Sequence, residues 1–243
     1  MRRLEFISTL IIFTTRSMAW RSSGTSNKEL VENLRKNHVF ASQRAYDAML
    51  AVDRGDFTRN DPYQDAPQRI GYNATISAPH MHAAALDYLQ NHLVAGANAL
   101  DVGSGSGYLT VCMAKMVGSS GTVVGIEHMG ELVELSKKNI EKHHKEMLDS
   151  GNVVLVEGDG RQGFAEKAPY NAIHVGAAAK GVPKALTDQL AEGGRMMIPV
   201  EGEDGNQEFM QIDKIDGKIE KKTVEHVIYV PLTSRDKQWS GHR

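Results

Sequence analysis

Apolar residues recur at near-helical spacing twice near the start of the chain. Leu30, Val31 and Leu34, with Val39 beyond, follow Ser26-Asn27-Lys28-Glu29, a capping-box pattern that predicts a helix start. Ser42 opens a second run in which Ala45, Met49 and Val52 share a face. Residues 56–68 carry Pro62 and Pro67 and no periodicity, which predicts a loop whose Phe57 and Tyr63 pack onto the core. An extended stretch at 74–77 leads to Pro79, suited to the first position of a helix that runs to about Asn91. Strand and helix patterns then alternate: strand 99–102, helix 106–117, strand 122–127, helix 130–143, strands 153–156 and 170–175, helix 182–190, strand 194–200. Such alternation predicts parallel βαβ units with helices on both faces. The pattern changes after residue 200. Residues 208–214 and 218–224, separated by Asp216-Gly217, read as a hairpin, and 227–230 as one more apolar strand. The expected fold class is α/β: a doubly wound, mostly parallel sheet with an N-terminal helical cap and C-terminal antiparallel strands.

Length and composition fit one domain. With 243 residues and 41% apolar content the chain can bury a sizeable core. The expected division is residues 18–95 as cap and active-site loop, 96–200 as a ligand-binding sheet and 201–243 as a closing segment. Residues 1–17 are expected to lie outside the fold. Met1-Arg2-Arg3, the short apolar run 10–13 and Ser17-Met18-Ala19 resemble a weak leader, too short to span a bilayer, and Met18 offers a second start. Net charge is −2 with no basic stripe, which argues against sequence-independent binding to a nucleic-acid backbone. The one cysteine, Cys112, falls inside a helical run and reads as a small buried hydrophobe, consistent with a reducing compartment such as the cytoplasm.

The chemistry concentrates where strands end. Leu100-Asp101-Val102-Gly103-Ser104-Gly105-Ser106-Gly107 is an apolar run closed by an acid and a glycine-rich turn, ahead of a helix. This is the strand–turn–helix of a nucleotide-type site. Its spacing is G-x-G-x-G, and Tyr108 occupies the third glycine position of the dinucleotide fingerprint, which disfavours a pyrophosphate ligand. Glu127 ends the next strand, about twenty residues after Gly107, where a carboxylate accepts from ribose hydroxyls. An acid, a glycine turn without a phosphate fingerprint and a second acid together suit S-adenosylmethionine. Asp159 in Glu157-Gly158-Asp159-Gly160 follows the third strand, where it can accept an exocyclic amine while Gly160 lets backbone approach a ring.

The stretch Ala74-Thr75-Ile76-Ser77-Ala78-Pro79-His80-Met81-His82 sets a hydroxyl and two histidines at a helix start. His80 and His82 are spaced i, i+2 and face apart, so no metal site is expected. No G-x-S-x-G elbow accompanies Ser77, which argues against a serine nucleophile. The remaining reading is a hydroxyl-and-amide pocket for a carboxylate, compatible with Ser77 as a helix cap.

These motifs, with Ala172-Ile173-His174-Val175-Gly176-Ala177-Ala178 and Tyr229-Val230-Pro231-Leu232-Thr233, resemble the protein-L-isoaspartate (D-aspartate) O-methyltransferase family, in its animal cytosolic branch, over about Met18 to Trp239. The resemblance implies a Rossmann-like, S-adenosylmethionine-dependent methyltransferase. It would act on the free α-carboxylate of isoaspartyl and D-aspartyl residues in damaged proteins, leaving S-adenosylhomocysteine, and return the residue through a succinimide to aspartate. It further implies Ser77 as the active-site residue, with Ala74, Thr75, Ile76, Ser77 and His82 lining the cofactor or substrate pocket. Asp101, Gly103, Ser104 and Gly105 would hold the methionine portion, Glu127 the ribose, and Asp159 with Gly160 the adenine. Leu132 would pack near the adenosine, and Thr233 and Gln238 would close over the cofactor. Lys180, Glu201, Glu225 and His226 depart from the family pattern. A monomer without nucleic-acid or stable membrane partners is expected, because flexible peptide segments must enter an open cleft. The alternatives are a methyltransferase for other substrates, a nicotinamide-dependent dehydrogenase, which Tyr108 opposes, and a non-catalytic cofactor binder.

Overall fold

The computed structural model describes residues 22–202 and 205–239; the expected extension at 1–17 falls outside the described residues. Helix α1 (Asn27–Lys36) begins as its sequence requires, with the Ser26 hydroxyl accepting from the Glu29 N–H at 3.3 Å. The capping box closes one residue early: the Glu29 carboxylate takes the N–H and hydroxyl of Thr25, at 2.7 and 2.6 Å. In α2 (Gln43–Ala51) the Ser42 hydroxyl accepts from Ala45 N–H. A single-turn helix at Arg54–Asp56 follows, then the 56–68 loop, from which Phe57 is buried in the core and Tyr63 donates to Asp53.

Strands β1 (Gln68–Gly71) and β2 (Ala74–Ile76) form an antiparallel hairpin. The sequence pattern did not predict β1, because its turn places Tyr72 and Asn73 at φ +52° and +56°, a left-handed conformation that tyrosine seldom signals. Helix α3 (Pro79–Leu89) starts with Pro79 and ends two residues before the expected Asn91.

The main sheet has seven strands in the order β5-β4-β3-β6-β7-β8-β9. They are β3 (Asn98–Val102), β4 (Thr122–Glu127), β5 (Val153–Glu157), β6 (Tyr170–Val175), β7 (Leu190–Glu201), β8 (Gln207–Ile215) and β9 (Lys218–Val227). The first five pair in parallel, and β7-β8-β9 pair antiparallel across the predicted hairpin. Helix α4 (Tyr108–Val117) joins β3 to β4, and α5 (Gly130–Glu141) with the short α6 (Lys145–Asp149) joins β4 to β5. Helix α7 (Lys184–Asp188) is shorter than expected, and residue 190 already belongs to β7.

Layering explains the near-continuous apolar runs. Ala99, Val123, Ala172 and Met197 face one core with α1 to α4, while Leu100, Val124, Ile173 and Ile198 face the other. A strand covered on both faces buries every side chain, so its sequence is apolar throughout. Cys112 lies fully buried in the first core, and burial pushes its thiol up to about 12.

From β3 the chain winds outward to β5, then returns to the other side of β3 at β6. Strand order therefore reverses beside β3, and ligands of open α/β sheets bind at the carboxyl ends of such strands. The strand expected at 227–230 does not form. Val227 ends β9 and the chain leaves the sheet to cross those carboxyl ends. Its hydrogen bonds go elsewhere: the Gln207 side chain takes the Tyr229 N–H at 2.6 Å and donates to the Tyr229 carbonyl at 3.1 Å. Ala178 pairs with Val230 and Leu232. A final single turn, α8 (Arg235–Gln238), completes the described chain.

Candidate active site

The glycine turn after β3 is folded back onto β4, with the N–H groups of Gly103 and Ser104 both donating to the Ile126 carbonyl. Gly103, Gly105 and Gly107 have φ of +75°, +52° and +86°, left-handed values that strain other residues. Glu127 sits opposite at the end of β4. Its carboxylate accepts from the N–H groups of Gly105, His128 and Met129, at 3.2, 2.8 and 3.1 Å. Three backbone donors lock its orientation, and the carboxylate, which lines a cavity here, keeps further acceptor capacity.

Gly160 approaches β3 so closely that a Cβ would lie 2.5 Å from Cγ1 of Val102. Asp159 beside it is held by Arg161, whose side chain donates from Nε at 2.9 Å and Nη2 at 2.7 Å and keeps the carboxyl below the usual carboxylate range. Gln238 closes the opposite wall. Its Nε2 donates to the Tyr72 carbonyl at 3.0 Å, its Oε1 faces Nε2 of His128 at 2.9 Å, and its carbonyl accepts from Asn73. The Trp239 ring meets that of Tyr72 edge-on at 5.5 Å. The closing segment is thus anchored to the β1–β2 turn.

Of the sequence-predicted residues, Ala74, Thr75, Gly103, Gly105, Glu127, Asp159, Gly160, Thr233 and Gln238 line one cavity of about 570 Å³, part of it open solvent. Ser77 lines a second, wider cleft of about 2010 Å³, part of it open solvent, between the start of α3 and residues 225–230. Thr75, Gly176 and Val230 border both, so the two spaces abut there.

Ile76, His82, Asp101, Ser104 and Leu132 are buried and border neither space. The Asp101 carboxylate supports the turn from beneath, accepting from the Thr110 hydroxyl at 2.6 Å and facing Nδ1 of His174 at 2.8 Å. His82 lies 5.1 Å from the Tyr108 ring, and burial pushes its pKa well below 6.5, so it is neutral at physiological pH.

The structure corrects the reading of the α3 start in two respects. Ala78, not Ser77, is the N-cap, and the N-cap residue makes no side-chain cap hydrogen bond. The first amides are also already used: Pro79 has none, His80 donates to Asp65 at 3.0 Å, and Met81 and His82 donate to the Ala78 carbonyl. Ser77 therefore lines the cleft with Thr75, Ala78, His80 and Met81, and the first amides of the helix are not free beside it.

Sequence reasoning missed Ile126, His128, Gly176, Ala177, Val230, Pro231 and Leu232 as lining residues. Gly176 and Ala177 directly follow β6, and the strand-end rule that singled out Asp101 would have found them. Pro231 and Leu232 gave no such signal, because they reach the cavity only when the chain leaves the sheet. Among the described residues no group of three or more His, Cys, Asp or Glu is arranged to hold a metal ion.

A model of the protein-L-isoaspartate(D-aspartate) O-methyltransferase family matches residues 25–237. The chain belongs to that family. A Caenorhabditis elegans protein-L-isoaspartate O-methyltransferase is 82% identical over 223 residues, which span 92% of this chain and 99% of that protein. Protein-L-isoaspartate O-methyltransferase 1 of Arabidopsis thaliana is 52% identical over 90% of this chain and 96% of its own length. A crystal structure of a Plasmodium falciparum chain assigned to the same enzymes, in complex with S-adenosyl-L-homocysteine, superimposes with a TM-score of 0.82. It is 39% identical and covers 86% of this chain and 99% of that one. The fold expected from the alternating pattern is that of the family, a methyltransferase sheet extended by antiparallel strands.

Proposed function

We propose that this protein is the repair methyltransferase its family implies. It moves the methyl group of S-adenosyl-L-methionine to the free α-carboxylate of L-isoaspartyl, and D-aspartyl, residues in damaged proteins. One observation carries the reading within the family: a glycine-lined cavity with a fixed carboxylate abuts a cleft lined by Ser77. The first space suits the donor. The positive-φ glycines bring backbone close, Glu127 offers an acceptor to a ribose, and Asp159 with Gly160 flanks the space left for an adenine.

Bound there, S-adenosyl-L-methionine supplies a methyl carbon on a sulfonium. An acceptor carboxylate with a pKa of about 3.5 is already ionised at neutral pH, so no general base is needed. One carboxylate oxygen bonds to the methyl carbon as the carbon–sulfur bond breaks, and the electron pair stays on sulfur as a neutral thioether. The task left to the chain is alignment, which contributes roughly 7–11 kcal/mol where geometry is tight. Thr75 and Gly176 border the passage between the two spaces, and the Ser77 hydroxyl orients the acceptor oxygen toward it. Ser77 must not bind the carboxylate too strongly, since its negative charge falls toward the transition state. The methyl ester then closes to a succinimide, and hydrolysis returns part of it to aspartate.

The same reading takes the enzyme as a cytoplasmic monomer acting on flexible segments, without nucleic-acid partners. Supporting it are the wide cleft and the net charge of −2. No helix among the described residues is long and apolar enough to cross a membrane. The deciding experiment is methyl transfer to an isoaspartyl peptide with the aspartyl peptide as control. Turnover on the first alone is expected, and equal or absent turnover would sink the assignment.

A further inference from the structure

Arg54 is the largest fully buried side chain among the described residues, at 0% exposure. It sits in the single-turn helix after α2, and neither donor cavity nor acceptor cleft includes it. Its Nη2 donates to the backbone carbonyl of Ser77 at 2.9 Å. Its Nη1 faces Nδ1 of His82 at 3.4 Å, and its guanidinium carbon lies 5.5 Å from the centre of the Tyr108 ring. Its Nε has no partner among the described residues.

What Arg54 lacks is a carboxylate in hydrogen-bond contact. Among the described residues no carboxylate touches it: Asp65, the nearby acid that acts on it through space, gives Oδ1 to His80 at 2.8 Å, and its buried Oδ2 has no hydrogen-bond partner. Asp101 is occupied by Thr110 and His174. Burial lowers the Arg54 pKa to about 10, which still leaves it cationic at neutral pH, while His82 beside it stays neutral. A buried charge without a partner is costly and persists where something else repays it. Here the cation stands directly behind the backbone of Ser77, which lines the acceptor cleft.

We propose that Arg54 is a positioning residue whose counter-ion is the acceptor carboxylate. Its buried charge draws the carboxylate to the Ser77 end of the cleft, and its hydrogen bond holds the Ser77 backbone still. Methylation converts the carboxylate into a neutral ester, so the attraction lapses once the reaction is complete and product release is favoured. The inference rests on the acceptor assignment above.

The test compares two peptides on full-length enzyme saturated with S-adenosyl-L-homocysteine: one carrying the isoaspartyl α-carboxylate, the other the corresponding α-carboxamide. Equilibrium binding of each gives a carboxylate-over-amide preference. Arg54→Met is expected to cut that preference at least tenfold while affinity for S-adenosyl-L-homocysteine stays within threefold. Arg54→Gln, a second neutral variant, serves if the methionine variant does not fold, and Arg54→Lys is expected to keep most of the preference. Were Arg54 only a brace for Ser77, its loss would weaken both peptides alike; that result, or an unchanged preference in the neutral variants, overturns the proposal. Methyl transfer by the wild type to the carboxylate peptide is measured alongside. Its absence overturns the acceptor assignment itself, and with it the part given to Arg54.

Discussion

The two spaces that meet at Thr75, Gly176 and Val230 are made from different material. The donor cavity is cut into the ends of β3 and β4, and its polar groups are already held by protein: Glu127 by three backbone N–H groups, Asp159 by Arg161, Gln238 by Tyr72 and His128. The acceptor cleft is walled by the start of α3 on one side and by chain that has left the sheet on the other, where Ile228 is 98% exposed. A site for one ligand of fixed shape gains from groups that need no rearrangement on binding. A site for many protein segments needs one fixed reacting point and permissive walls. Rigidity is placed on the donor side, and on the acceptor side it is confined to the segment that Arg54 braces.

Substitutions can break this contrast. The largest effect is expected from Glu127→Ala, which removes a ribose acceptor and leaves three backbone donors without their partner. Calorimetry should show affinity for S-adenosyl-L-homocysteine falling about 100- to 1000-fold, since each unmade buried hydrogen bond costs about 1–3 kcal/mol. A loss below tenfold would show that the carboxylate is structural and not part of the donor site. Ser77→Ala comes next, with turnover falling about 10- to 100-fold through lost alignment while cofactor affinity is nearly retained. Normal turnover at saturation with lost cofactor binding would reverse the roles of the two sides.

Acid stability sharpens the contrast from beneath. Burial holds His82 well below 6.5 in the folded state, so below pH 6.5 the unfolded chain binds more protons. Stability present above that pH is lost on acidification, with a slope of up to about 1.4 kcal/mol per pH unit from this residue. Urea melts between pH 7.5 and 5 check this, and His82→Gln should flatten the dependence. Gln238→Ala removes the side-chain hydrogen bonds from α8 to the Tyr72 carbonyl and to His128, and about tenfold faster dissociation of S-adenosyl-L-homocysteine is expected by stopped flow. The smallest effect is expected from Ile228→Ser, within about 0.5 kcal/mol of wild-type stability because the side chain is exposed, with KM for peptides changed by a few-fold. A shift in cofactor affinity would mean that the cleft wall is coupled to the donor side.

Much of this molecule follows from local rules that the sequence carries in full. Period and punctuation set the helices and strands, because a helix cap, a two-faced apolar run or an Asp-Gly turn needs only neighbouring residues to be expressed. Strand-end acids and the positive-φ glycines follow in the same way, and they located Glu127, Asp159 and the turn after β3. The tertiary structure decided what depends on residues far apart. The hydrogen bonds of 228–232 are made to Gln207 and Ala178, so the apolar run there could not show that it leaves the sheet. Asp65 takes the α3 amide that Ser77 was expected to share, and Asp101 turns from the cavity to Thr110 and His174. Arg54, an ordinary charged residue in its local sequence, becomes a buried cation behind Ser77 only when α3 packs over it. Burial and long-range pairing are properties of the assembled chain, and they decide which polar groups remain free to act.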